Sequence, residues 1–182
     1  MLFRSSDVLL TASGNLSKNF TGSFSVGANQ FSFTPTGSTT GLVNVTYNLA
    51  ESKLYSLFIV NKLSNLETII VKDSAGTLTS TGKSGIRLVH LSPDAPAVNI
   101  YTTGTNGKLL FGAREFKSVT PFTEIDADVY SFEIRSLDGV KLASVENLSF
   151  SSGRFYTLIV RGFVSPPANN SNTLTIQQTI NQ

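Results

Sequence analysis

The chain has 182 residues, 40% of them hydrophobic and only 14% charged, with a net charge of +2, one histidine and no cysteine. That much apolar side chain excludes a disordered polymer, and the lack of cysteine excludes disulfides, thiolate catalysis and cysteine-based zinc sites. Lys and Arg cluster on no single segment, which argues against nucleic acid as a partner, and no apolar run approaches the roughly twenty residues of a membrane-spanning helix.

Taken in order, residues 2–3 and 7–11 read as two short strands separated by Ser5 and Ser6. Phe20, Phe24 and Val26, and after them Phe31 and Phe33, recur at even spacing within each group, which places each group on one face of successive strands. Residues 42–49 alternate as a half-buried strand does. Residues 54–60 form a nearly continuous apolar run, the pattern of a central strand, and residues 68–72 supply another. Residues 74–85, Ser-Ala-Gly-Thr-Leu-Thr-Ser-Thr-Gly-Lys-Ser-Gly, are small, polar and flexible, and they mark a boundary.

Residues 85–101 come next, Gly-Ile-Arg-Leu-Val-His-Leu-Ser-Pro-Asp-Ala-Pro-Ala-Val-Asn-Ile-Tyr. Ile86 to Leu91 alternate as a strand, and Pro93 and Pro96 stop it, because each removes a backbone donor and pushes its predecessor toward extended geometry. Asp94 between the prolines is expected to accept from backbone N–H groups two residues on. A second strand resumes at Val98 and ends at the turn formed by Gly104, Asn106 and Gly107. This strand, corner and strand, with Phe132 to Arg135 and residues 155–160, resembles a bacterial family known only as a domain of unknown function, numbered four-three-nine-seven. The resemblance covers roughly residues 85–162. It implies secreted or surface-anchored proteins with immunoglobulin-like or transthyretin-like β-sandwiches, often in tandem, and no assigned catalytic residues. The chain departs from the family pattern at Asn99, where Asp is common, and at Asp126-Ala127-Asp128, where Pro-Ala-Gly is common.

The order of elements repeats. Residues 26–33 match residues 125–132 at an offset of 99, and residues 55–60 match residues 156–161 at an offset of 101, so an internal duplication follows. Asn29 and Asp128 fall at the expected tips of hairpins, where a positive φ is best tolerated, after Gly, by these residue types. Residues 166–170 form a loop, and Leu174, Ile176 and Ile180 make a final strand. Helical periodicity of useful length is absent.

The chemistry-bearing residues are few. His90, Ser92 and Asp94 invite a triad, but alternate residues of an extended strand stand roughly 6–7 Å apart, beyond the reach a nucleophile and its base require. As the only histidine, His90 excludes any multi-histidine metal site; the expected role is a strand-end side chain bonded to a loop carbonyl. Glu124, Asp126 and Asp128 alternate and form a calcium candidate, set against a solvated strand edge, since no glycine-bearing ligand loop follows them. Aromatic residues are mostly expected in the core; Tyr101, Phe111 and Phe163 are the candidates for an exposed ligand or partner surface. Five Asn-x-Ser/Thr sequons occur, at Asn15, Asn19, Asn44, Asn147 and Asn169.

The expected protein is therefore all-β, with two tandem sandwich domains, 1–80 with an abbreviated opening and 81–182 carrying the Ser-Pro-Asp-Ala-Pro corner. The expected function is non-enzymatic, an exported or cell-surface module for adhesion, spacing or assembly, with no cofactor and no catalytic residues. A carbohydrate- or peptide-binding module using the corner and the 166–170 loop is the second reading. The third is self-assembly, with the tail, residues 173–182, completing a neighbour's sheet. Expected partners are other copies of the chain or cell-surface proteins and glycans. Residues 1–4 are too short for a signal peptide, so any leader or lipid anchor would lie outside this chain.

Overall fold

The computed structural model describes residues 2–4, 24–33, 41–73, 75–104 and 107–181. The expected strand at residues 7–11, Phe20, and the sequons at Asn15 and Asn19 lie outside the described residues. The chain is all-β, with sheets open at their edges and, among the described residues, one 3-10 turn at Leu63–Asn65. It separates into two compact units, Met1–Ser74 and Ala75–Gln182.

In the first unit, β1 (Leu2–Arg4), β4 (Tyr55–Val60) and β5 (Glu67–Lys72) form one antiparallel sheet, and β2 (Gly27–Phe33) pairs with β3 (Val43–Leu49) in a hairpin. β2 alternates as its aromatic spacing requires: Phe31 and Phe33 point inward to meet Leu49 and Leu57 in one core cluster. The Tyr47 hydroxyl lies 2.9 Å from Thr68 Oγ1, joining β3 to β5. Behind the core, Ser56 donates to the buried Asp73 carboxylate at 2.7 Å.

The second unit is a sandwich of two four-stranded sheets around one core. One sheet runs β11 (Lys141–Ser149), β10 (Val129–Ser136), β7 (Val98–Thr102) and β8 (Leu109–Arg114). The other runs β13 (Thr175–Ile180), β12 (Phe155–Arg161), β6 (Lys83–His90) and β9 (Thr123–Asp126). Val98, Ile100, Phe132 and Ile134 from the first meet Ile86, Leu88, Leu158 and Val160 from the second, and Phe150 seals one end with edge contacts to Phe132 and Tyr156. β6 is buried along both faces because it is covered twice. Its inner face meets the core, and its outer face carries Arg87, whose guanidinium sits 4.9 Å over the Phe122 ring and whose Nε donates to Thr157 Oγ1 at 2.8 Å. Thr157 in turn donates to Asn181 Oδ1 at 2.6 Å. Because that hydroxyl joins two buried polar groups, Thr157→Val is expected to lower stability by about 1–3 kcal/mol, read by urea unfolding.

β6 pairs in parallel with β12, from Gly85 beside Phe155 to His90 beside Val160, whereas every other named pair in the unit is antiparallel. This arrangement fixes the two poles. The chain enters β6 at Lys83 and leaves β13 toward Asn181, whose N–H bonds to Phe155 O, so the start of β6 and the end of β13 sit at one pole. The Ser-Pro-Asp-Ala-Pro corner, the 137–140 hairpin tip and the 162–174 loop occupy the other.

The two units divide at Ser74 and Ala75, and residues 79–82 are stitched into the second: Thr79 N and Oγ1 both donate to the Glu124 carboxylate at 2.6 Å, and Gly82 O accepts from Ala127 N. The tail pairs within the chain, since β13 runs beside β12 over six residues and buries Leu174 and Ile176. Neither Asn29 nor Asp128 has a positive φ: Asn29 lies inside β2, and Gly27 (φ +100°) takes the left-handed position. Phe111 is 5% exposed and belongs to the core, which removes it from any surface role.

Candidate functional site: the corner pole

Extended geometry ends at Leu91, and the spacing argument against contact among His90, Ser92 and Asp94 ends with it. Ser92 N lies 3.3 Å from His90 Nδ1, and Ser92 Oγ lies 3.4 Å from Asp94 Oδ1. The order of contacts is nonetheless wrong for a nucleophile, because histidine receives the serine's backbone N–H and the serine hydroxyl turns to the carboxylate. With Nδ1 accepting, the neutral ring places its proton on Nε2, 3.4 Å from Pro96 O. His90 and Ser92 are both wholly buried, so the three residues wire the corner to itself.

Asp94 reaches furthest. It accepts from Val164 N and Ser165 N at 2.9 Å each, across 70 residues of sequence, instead of from its own turn. The loop it holds is closed at its neck by Phe163 N to Asn172 O and Leu174 N to Phe163 O. Gly162 makes that neck possible: its φ is +85°, and a Cβ there would lie 2.1 Å from Thr173 O. Around this frame the pole exposes apolar side chains at the hairpin tip, Leu137 at 56% and Val140 at 57%, and Val164 on the clamped loop. Phe163 is half-buried at the loop's base.

Burial lowers the His90 pKa below its ordinary 6.5, with the Pro96 carbonyl acting weakly the other way. Above that pH the ring is neutral in both folded and unfolded chains. Below it the unfolded chain takes up a proton that the folded chain resists, so stability falls as the pH drops through the window beneath 6.5. Urea unfolding at about pH 7.5 and about pH 5.5 is expected to show this loss in the native chain and a smaller one in His90→Gln.

The remaining candidates lie elsewhere. Tyr101 is on the outer face of its sheet, beneath the Arg135 guanidinium at 4.9 Å, beside a Glu133 carboxylate shared by Arg135 and Lys141. Glu124, Asp126 and Asp128 lie at the opposite pole, and each has a protein partner. Glu124 holds Thr79, Asp126 pairs with Lys83 Nζ at 2.7 Å, and Asp128 accepts from Val129 N at 2.7 Å. Among the described residues no three acidic or histidine side chains converge as metal ligands would. Of the sequons, Asn44, Asn147 and Asn169 are exposed. Sequence reasoning missed the partners of Asp94 and the covering of Arg87 on the outer face of β6, because both depend on segments far away in the chain. No helix among the described residues is long and apolar enough to cross a membrane.

These features define an all-β protein with a β-sandwich unit whose loops at one pole are locked by a single carboxylate. The chain belongs to the family described as Domain of unknown function (DUF4397), whose model matches it twice, at residues 20–101 and 84–180. The two matches share residues 84–101, the strand, corner and strand that hold Asp94. No curated protein matches the chain.

Proposed function

We propose that this protein is a non-enzymatic module of the cell surface or extracellular space, serving adhesion or structural spacing, built as two tandem sandwich domains of immunoglobulin-like type. The observation that carries this reading is the wiring of the corner. Its most reactive-looking residues, His90, Ser92 and Asp94, have their polar atoms committed to one another and to backbone groups of residues 96, 164 and 165. Such an arrangement rigidifies a surface and leaves little for proton transfer or attack. The topology agrees with this use, since β6 begins and β13 ends at the pole opposite the corner. The low charge and the duplicated family pattern agree with this use.

Beads displaying the full chain are expected to adhere to cell surfaces or extracellular matrix under flow, and the double variant Leu137→Ser, Val140→Ser is expected to detach at lower shear without a change in melting temperature. Equal retention by native chain, variant and bare beads would contradict the reading.

A further inference from the structure

A sheet edge is a row of backbone donors and acceptors without partners, and natural β-proteins guard it with charge, bulges, proline or brevity. The two sheets of the second unit have four edge strands, and three of them carry a guard. β11 holds Lys141 and Glu146 and is broken by a register shift beside Asn147, whose φ is +59°. β8 holds Arg114, with Ala113 at a φ of +50° and an irregular register to β7. β9 is four residues long and carries Glu124 and Asp126. β13 differs. It reads Thr-Ile-Gln-Gln-Thr-Ile, without charge, proline or glycine, and its register to β12 is unbroken. No strand among the described residues pairs with its far side, and Ile180 stands 54% exposed.

Asn181 N donates to Phe155 O, so by antiparallel alternation the main-chain groups of Thr175, Gln177 and Thr179 point to β12, and those of Ile176, Gln178 and Ile180 point outward. The outward set is symmetric about Gln178. Turned about a two-fold axis through that residue, the strand meets itself antiparallel, Gln178 beside Gln178 and Ile176 beside Ile180, and every outward N–H and C=O finds a mate. Side chains directly opposite each other share a face, so each exposed Ile180 is covered by the other copy's Ile176. The neighbourhood of the axis is uncharged: Gln178 Nε2 donates to Ser149 O at the end of β11, whereas Glu146 and Lys141 lie further back along that strand.

We infer that two copies of this chain pair edge to edge through β13, joining their sheets into one about a two-fold axis at Gln178. The tail stays in its own sheet and offers only its far edge. A contact in which the same patch meets itself closes at two chains and does not propagate. The inference stands apart from the adhesion reading and does not depend on it.

Light scattering of the full chain over a concentration series is expected to show the mass rising from one chain to two and stopping there. Ile180→Lys places a charge on an exposed side chain and against Ile176 of the other copy, so it should weaken the association at least about tenfold without lowering the melting temperature of the dilute chain. Because the chain has no cysteine, Gln178→Cys supplies a single thiol. Mild oxidation of that variant should give a covalent two-chain product, and Thr175→Cys, roughly 20 Å from its own mate in this register, should not. In the native chain, the amides of Ile176, Gln178 and Ile180 should exchange more slowly as concentration rises, while those of Gln177 and Thr179 stay slow throughout, which reads the contact without any variant. A single-chain mass at every concentration, which would leave the edge to a strand of another protein, would overturn the inference. So would growth past two chains, pairing undiminished in Ile180→Lys, equal cross-linking at the two cysteine positions, or edge amides indifferent to concentration.

Discussion

Asp94→Ala is expected to be the most damaging single polar substitution in the second unit. It removes the acceptor of two backbone N–H groups, Val164 and Ser165, and frees the serine hydroxyl that leans on the same carboxylate. Hydrogen bonds to a charged acceptor contribute about 1.5–3 kcal/mol each, and the exposed loop amides recover part of that from water, so a net loss of about 2–3 kcal/mol is expected. For a unit of this size that lowers the melting temperature by on the order of 10 °C. Asp94→Asn keeps one acceptor oxygen and is expected to lose roughly half as much. The damage should also be local first: limited proteolysis of Asp94→Ala should cut within residues 163–173 before any strand of the core. A variant as stable and as resistant as the native chain would show that the carboxylate is not what holds the loop.

Gly162→Ala is the second large effect, and its cause is backbone geometry. At a φ of +85° an added Cβ meets Thr173 O at 2.1 Å, Thr173 C at 2.6 Å and Asn172 O at 3.0 Å, all main-chain atoms that cannot swing away. The left-handed conformation alone costs an L-residue about 1–2 kcal/mol, and the collision adds the cost of opening the neck bonds at Phe163 and Leu174, so a total above about 3 kcal/mol is expected. Gly139 provides the control. Its φ is +87°, but nothing lies within 4 Å of an added Cβ, so Gly139→Ala should show the conformational penalty alone, about 1 kcal/mol. Equal losses at the two glycines, measured by urea unfolding, would mean that the neck relaxes and that the loop is not closed as described.

What could be read from the residues was what depends on local pattern. Alternation in residues 42–49, the nearly continuous apolar run at residues 54–60 and the double proline after Leu91 each declare a strand or a stop within a few positions, and β3, β4 and β6 fall there. The repeat at offsets near 100 announced the second copy, and the family model matches the chain twice. What stayed hidden was long-range. The parallel pairing of β6 with β12 joins segments 70 positions apart, and no feature of either strand's composition encodes a direction. The cover over the outer face of β6 comes from residues around Phe122, which have no periodicity to betray them, so nothing near Arg87 in the chain announces that it is buried under a ring. Phe111 misled for the converse reason. It follows a polar turn and precedes Gly112, but the irregular register between β7 and β8 rotates it into the core. Asp94 was legible as a turn acceptor and illegible as a clamp, because its partners arrive only when the sandwich closes.

The account turns on the corner being a clamp that fixes one pole of the second unit. Amide hydrogen exchange of the native chain tests this most directly, with Val164 and Ser165 compared to the neck amides of Phe163 and Leu174. The expected result is that Val164 and Ser165, although on an exposed loop, exchange as slowly as the two neck amides, and that in Asp94→Ala they alone become fast while Leu158 in the core is unchanged. Val164 and Ser165 exchanging in the native chain at the rate of an open loop would contradict the clamp, and with it the reading of His90, Ser92 and Asp94 as residues that hold a surface in place.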